Sequence, residues 1–197
     1  MTLFSQAIAF AAQMHSGAFR KGTDIPYIVH PMEAAAIAAT ITTDDAVLAA
    51  AVLHDVIEDC GVSAEELETR FGSVVAGLVL SETQLSIGDP KETWERRKRE
   101  GLRAIGEGSR EVRIIALGDK LSNMRAISRD YHLLGGKLFD RFNQHDPRMH
   151  AWYYRSCQAL FAQDLADTQA YAEFCMHVEN VFGKLAPLDQ SEGVCAV

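Results

Sequence analysis

Ala49-Ala50-Ala51-Val52-Leu53-His54-Asp55-Val56-Ile57-Glu58-Asp59 decides how this chain folds and what it holds. Its first five residues are apolar helix formers, and a helix that is apolar all round belongs inside a core. Its last six carry an imidazole and three carboxylates, groups that are rarely buried without partners. The helical period pairs His54 with Glu58 and Asp55 with Asp59 at i,i+4, so all four are expected on one side of the final turns. A divalent cation is the simplest counter-charge, since imidazole with carboxylate suits Mn, Fe or Zn. Asp59-Cys60-Gly61 also reads as a helix exit, but capping accounts for one carboxylate and not for a His-Asp pair one turn deeper.

Outward from this stretch the chain reads as helical almost throughout. Thr43-Asp44-Asp45 supplies a cap for a central helix expected over 46–59. Upstream, Phe4, Ile8, Ala11 and Ala12 fall on one face of a first helix. The segment 16–31, with two glycines and two prolines, reads as a loop that leads into an Ala-rich helix over 32–41 with Pro31 in its first turn. Downstream, Ser63-Ala64-Glu65-Glu66 has the form of a capping box, and Phe71-Gly72 closes that helix. An apolar helix over 74–80, an exposed loop over 81–90 and a charged helix over 91–106 follow.

The helix expected over 110–129 shares a feature with the central one. Val112, Ile114, Ile115, Ala116 and Leu117 lead directly into Asp119, with Asn123 one turn later on the same face. An Asp inside an apolar helix needs a partner, and the plain alternative is a solvated edge carrying an Asp119–Lys120 pair. Gly135-Gly136 interrupts the chain, Pro147 restarts it, and two amphipathic helices run to about residue 182, with Trp152-Tyr153-Tyr154 packing between them.

Composition narrows the function classes. The 197 residues suffice for one domain with a full core, and 48% hydrophobic with 23% charged residues is ordinary for a globular protein. A net charge of −8 argues against a nucleic-acid or membrane-surface binder, so any polyanion must meet a local basic patch or a metal. Four cysteines without C-x-x-C spacing fit reduced thiols, and the N-terminus lacks the pattern of a signal peptide. A cytoplasmic protein is expected.

The order His30 … His54-Asp55 … Asp119 resembles the HD superfamily of metal-dependent phosphohydrolases. Arg20-Lys21, Pro26-Tyr27-Ile28-Val29-His30-Pro31, Leu53 to Asp59, Phe71-Gly72 and Asp119-Lys120-Leu121-Ser122-Asn123-Met124-Arg125 are similar to one subfamily, the alarmone hydrolases. These are the hydrolase domain of Rel/SpoT enzymes and the small stand-alone (p)ppGpp hydrolases. The resemblance implies an all-α fold, a single HD-type domain of about nine to eleven helices over residues 1–183, and a C-terminal tail over 184–197.

It also implies one divalent ion, usually Mn²⁺, held by His30, His54, Asp55 and Asp119. Glu58 and Asp59 match the acidic pair that positions and deprotonates the attacking water. Arg20, Lys21, Lys98 and Asn123 match positions that contact the nucleotide. The implied reaction removes the 3′-pyrophosphate of (p)ppGpp, giving GDP or GTP and pyrophosphate. The loop Arg20-Lys21-Gly22-Thr23-Asp24-Ile25-Pro26-Tyr27 is one residue longer than the common pattern. Ala126 and Arg129 also differ on the base side. Another 3′-phosphorylated nucleotide is therefore an alternative substrate, and a catalytically silent nucleotide-binding module is an alternative function. Arg96, Arg97 and Arg99 read as a solvated helix face, and His15, His132, His145, His150 and His177 as surface or capping residues.

Overall fold

A computed structural model of the chain describes residues 1–83, 89 and 91–186. Among these residues there are ten α-helices: α1 (Leu3–Met14), α2 (Val29–Ala38), α3 (Asp45–Leu53), α4 (Val56–Cys60), α5 (Ala64–Phe71), α6 (Ser73–Glu82), α7 (Trp94–Glu107), α8 (Arg110–Leu134), α9 (Pro147–Phe161) and α10 (Gln169–Phe182). A 3-10 segment, Gly135–Arg141, follows α8, and the loop after α1 closes on one isolated bridge between Phe19 and Pro26. The all-α architecture expected from the sequence is the one observed. Of the loop expected over 81–90, Ser81 and Glu82 belong to α6, and 84–88 and 90 lie outside the described residues. So does the expected tail from residue 187 onward.

Half of the helix starts follow from a side chain that takes the free N–H groups of the first turn. Thr2 accepts from Ser5 N at α1, Asp44 from Ala46 N and Val47 N at α3, Asp146 from Arg148 N at α9, and Thr168 from Tyr171 N at α10. At α5, Ser63 accepts from Glu66 N, while the Glu66 carboxylate pairs with Arg70 one turn on rather than folding back to complete the capping box.

The core is centred on α3, where Val47 and every residue from Ala49 to Leu53 are buried. Against it lie α1, α2, α6 and α8. The closest approach is between α2 and α8. A Cβ on Gly118 would stand 2.6 Å from the Ala34 carbonyl oxygen, so the position accepts no side chain unless the two backbones separate. The run of small residues on α2, with Ala34, Ala35 and Ala38 buried, is the other half of that contact.

The central helix expected over 46–59 is not continuous. It ends at Leu53, His54 and Asp55 form a turn, and α4 begins at Val56. His54 Nδ1 lies 2.8 Å from the Ala51 carbonyl, the acceptor that Asp55 N–H would use in an uninterrupted helix. Neighbouring side chains on a regular helix diverge by about 100°, and the break lets His54 and Asp55 converge instead. α4 closes on Gly61, whose φ of 69° is the left-handed cap that glycine takes without strain.

Candidate metal centre and adjoining cavity

Three segments deliver the cluster. His30 sits in the first turn of α2, His54 and Asp55 at the α3–α4 break, and Asp119 in the middle of α8. His54 Nε2 lies 3.0 Å from Asp55 Oδ2 and 3.8 Å from Asp119 Oδ1. His30 Nε2 lies 3.1 Å from Asp119 Oδ1 and 3.6 Å from Asp55 Oδ2. His30, His54 and Asp119 are buried. The structure thus brings together the four residues that the sequence singled out as ligands, and His30, His54 and Asp55 by themselves have the spacing of a metal-holding group.

The donor set fits a divalent ion. Two nitrogen or oxygen donors at ~2.0–2.2 Å from one ion stand roughly 3–3.5 Å apart, and the cross-distances of 3.0–3.8 Å lie in or just above that range. His54 Nε2 makes no hydrogen bond, despite lying 3.0 Å from Asp55 Oδ2. With Nδ1–H donated to the Ala51 carbonyl, Nε2 is the nitrogen whose lone pair a bound ion would take in place of a proton.

Electrostatics express the same need for positive charge. Burial lowers the affinity of His54 for a proton, but Asp55 and then Asp119 outweigh it and raise the imidazole to about 10. Burial also penalises the Asp55 carboxylate, which His54 and His30 nevertheless hold below the usual range. Asp119 is held well below it, against burial, by Lys120 and then His30.

The Asp119–Lys120 pair is not at a solvated edge. Lys120 is 6% exposed, with Nζ 2.5 Å from Asp119 Oδ2 and 3.3 Å from Glu82 Oε2. Asp119 Oδ2 is thereby tied back, and Oδ1 is left to face His30 and to accept from Asn123 Nδ2 at 2.5 Å.

The acidic pair stands at the exposed end of α4. Glu58 Oε1 lies 3.8 Å from Arg97 Nη1, so Arg97 serves as a neighbour of the site and not as part of a solvated helix face. Arg96 and Arg99 do make i,i+4 pairs with Glu100 and Glu95 along α7. Tyr27 donates its hydroxyl to Asp55 Oδ2 at 2.7 Å. Nearby, burial and then Asp55 push the Asp59 carboxyl up, with Tyr27 opposing.

Beside the cluster, and sharing His30 and Asp119 as wall, is a cavity of about 410 Å³. Arg20, Lys21, Lys98 and Asn123, the four residues that the sequence put forward for substrate, all line it. Arg20 Nη2 donates to Asn123 Oδ1 at 2.6 Å, and its guanidinium lies over the Tyr27 ring. Lys21 Nζ donates to Asn143 Oδ1 at 2.9 Å. Lys98 Nζ sits 4.8 Å from the centre of the Tyr153 ring, and burial with the nearby Lys120 pushes its ammonium down. Glu58 and Asp59 are not among the lining residues.

Several lining residues carried no signal of their own. Arg141, from the 3-10 segment, pairs with Asp130 at 2.7 Å, and Tyr153 and Tyr154 form part of the wall while packing the C-terminal helices. Of the histidines expected at the surface or as caps, His15 and His150 are buried, and His15 is also the C-cap of α1. His15 packs on Tyr27 with Nδ1 3.3 Å from Cys60 Sγ. His150 packs against Trp94, Phe139 and Phe142 and bonds the Gln144 carbonyl. Burial lowers both imidazoles, so they pack as neutral rings. No helix among the described residues is long and apolar enough to cross a membrane.

Known proteins resemble this chain. A protein from Synechocystis sp., named "Probable guanosine-3′,5′-bis(diphosphate) 3′-pyrophosphohydrolase", is 35% identical over 64% of this chain and 17% of its own length. The Vibrio cholerae guanosine-3′,5′-bis(diphosphate) 3′-pyrophosphohydrolase is 38% identical over 62% of this chain, again 17% of its own length. The chain therefore spans about one sixth of the curated relatives it matches. A solved structure described as a metazoan ortholog of SpoT that hydrolyses ppGpp and plays a role in starvation responses superposes with a TM-score of 0.69. It is 26% identical, and the match covers 91% of this chain and 94% of that one. A family model described as HD domain matches residues 7–134, the span that holds all four clustered side chains, and the chain belongs to that HD-domain family.

Proposed function

We propose that this chain is a divalent-metal hydrolase that removes the 3′-pyrophosphate of (p)ppGpp, with Mn²⁺ as its ion. Residues 1–183 are taken as the unit that carries the activity. The observation that carries the reading is the adjacency of two features: two imidazole nitrogens each within 3.8 Å of an oxygen of both Asp55 and Asp119, and a cation-lined cavity of about 410 Å³ that shares His30 and Asp119 with them. The names of the Synechocystis and Vibrio relatives and the likeness to the metazoan ppGpp hydrolase support the choice of substrate.

His30, His54, Asp55 and Asp119 would hold the ion, which supplies Lewis acidity at the phosphoryl group and a lowered pKa for water. The chain's own side chains do the rest. Arg20, Lys21 and Lys98 take up nucleotide and phosphate charge, and Arg20, already over Tyr27, has a planar face suited to a base. Asn123 holds Arg20 through its oxygen and Asp119 through its nitrogen, so nucleotide and ligand are fixed to one side chain. Glu58 and Asp59 orient the attacking water and accept its proton. The water oxygen bonds to the phosphorus on the 3′-oxygen, the P–O3′ bond breaks, and the 3′-oxygen leaves with a proton.

A second reading keeps the chemistry and changes the base. Ala126 and Arg129, the two departures from the alarmone-hydrolase pattern, both line the cavity beside the altered loop. One experiment addresses both readings: incubation with Mn²⁺ and ppGpp, pGpp, ppApp or 3′-phosphorylated dinucleotides, with each product identified. GDP and pyrophosphate from ppGpp are expected. Turnover of another nucleotide alone would transfer the assignment to it, and no turnover of any would reject the hydrolase.

A further inference from the structure

The two imidazoles of the cluster are held from behind by different means. His54 Nδ1 meets a backbone carbonyl, Ala51 O, a pure acceptor that fixes the proton on Nδ1. His30 Nδ1 instead meets the Ser122 hydroxyl at 2.8 Å. A hydroxyl can donate or accept, so by itself it leaves the His30 tautomer open. If Ser122 donated to Nδ1, the ring proton would move to Nε2, the nitrogen aimed at Asp119 and Asp55, and block the lone pair there.

The next link removes that freedom. Ser122 Oγ donates to Glu33 Oε2 at 2.7 Å, and an ionised carboxylate only accepts. With its one proton committed to Glu33, the hydroxyl must accept from His30, which places the ring proton on Nδ1. Glu33 is only half-buried and would otherwise be free to turn toward water. Arg125 Nη1 holds its other oxygen at 3.0 Å. Arg125 is in turn gripped at both ends by Glu173, Nε to Oε1 at 2.7 Å and Nη2 to Oε2 at 2.8 Å. The chain runs Glu173 (α10), Arg125 (α8), Glu33 (α2), Ser122 (α8), His30 (α2), and its outer end lies beyond the residues 7–134 matched by the family.

We propose that Ser122 and Glu33, clamped by Arg125 and Glu173, are positioning residues that lock His30 as its Nδ1–H tautomer and keep its Nε2 lone pair turned into the metal cluster. The C-terminal helix is then a working part of the centre although it supplies no ligand. The inference rests on the metal-hydrolase reading for the presence of an ion, and not on the identity of the nucleotide.

The test uses the full chain, stripped of metal, with Mn²⁺ alone as probe. Affinity is measured by competition with a chromophoric chelator, and the His30 tautomer by long-range ¹⁵N–¹H correlation on histidine-labelled, metal-free protein. Ser122→Ala should weaken Mn²⁺ binding by roughly 10–100-fold, the usual cost of losing a partner behind a ligating histidine, and should abolish the Nδ1–H preference of His30. Ser122→Thr, which keeps the hydroxyl, should restore both. Glu33→Gln, at a half-exposed position that folding tolerates, should shift the tautomer and weaken binding to a smaller degree, and Glu173→Gln to a smaller degree again. An unchanged tautomer in Ser122→Ala and Glu33→Gln overturns the proposal, as does Ser122→Thr binding Mn²⁺ as weakly as Ser122→Ala. If the unaltered protein binds no Mn²⁺, the metal-hydrolase reading fails on its own, while the tautomer of the metal-free protein still decides the chain.

Discussion

The two ends of the site are built on opposite plans. At the metal end, His30, His54 and Asp119 are buried, and each histidine Nε2 stands within 3.8 Å of an oxygen of both Asp55 and Asp119. Backbone and core fix that geometry before anything binds. At the cavity end, Arg20 and Lys21 come from the loop after α1, Lys98 from α7 and Arg141 from the 3-10 segment, each leaning on an amide, a carboxylate or a ring. Those contacts can be exchanged for phosphate oxygens at small cost, because partly exposed ion pairs and neutral amide contacts are worth little. Pre-set donors at one end and exchangeable cations at the other imply that chemistry and selectivity can be altered separately.

The largest effect should come from the residue that belongs to both the core and the cluster. Asp119→Ala removes a ligand and also leaves the Lys120 ammonium, 6% exposed, to Glu82 alone. Turnover should vanish, elemental analysis should find the ion gone, and denaturant unfolding should show a loss of about 3–5 kcal/mol for the uncompensated buried charge. His54→Ala should lose ion and turnover as completely but with less loss of stability. Full metal occupancy in His54→Ala would refute the ligand assignment.

Next come Glu58→Gln and Asp59→Asn, changes at the exposed end of α4. Both should keep the ion and the fold while kcat falls by ~10²–10⁴, the span typical of a lost general base. Metal content measured beside turnover checks this, and normal turnover in both would send the search for the base elsewhere.

Smaller effects belong to the cavity end. Arg20→Ala should raise KM for ppGpp roughly tenfold, about 1.4 kcal/mol, with kcat less affected, the signature of binding lost equally in ground and transition states. Lys98→Met, which keeps an aliphatic stem against Tyr153, should raise KM by only a few-fold. Steady-state kinetics on both variants tests the separation of the two ends, and a pure kcat loss in either would break it.

What the sequence made legible was what short-range rules govern. The apolar run 49–53 required a buried helix, Asp44 and Ser63 marked caps, and an Asp following Ile114 to Leu117 required a partner. The break between His54 and Asp55 was not legible, because helix formers flank it and the cause is a side chain taking the carbonyl of Ala51. Arg97 read as a solvated face because its partner, Glu58, is distant in sequence. The burial of His15 and His150 was hidden for the same reason, as each is enclosed by residues from other helices. The amphipathic pattern of α9 and α10 predicted packing, and it could not tell which side of Tyr153 or Tyr154 meets the cavity.

Gly118 immediately precedes Asp119, and its bare Cα faces the carbonyl of Ala34, four residues along α2 from His30. The contact is a mechanical stop: α8 advances on α2 until backbone meets backbone, and the aperture between Asp119 and His30 is whatever remains. A side chain at 118 would push the two helices apart and widen that aperture. In the proposed metal site, the spacing of two donors would thus be set by a residue that touches no ion.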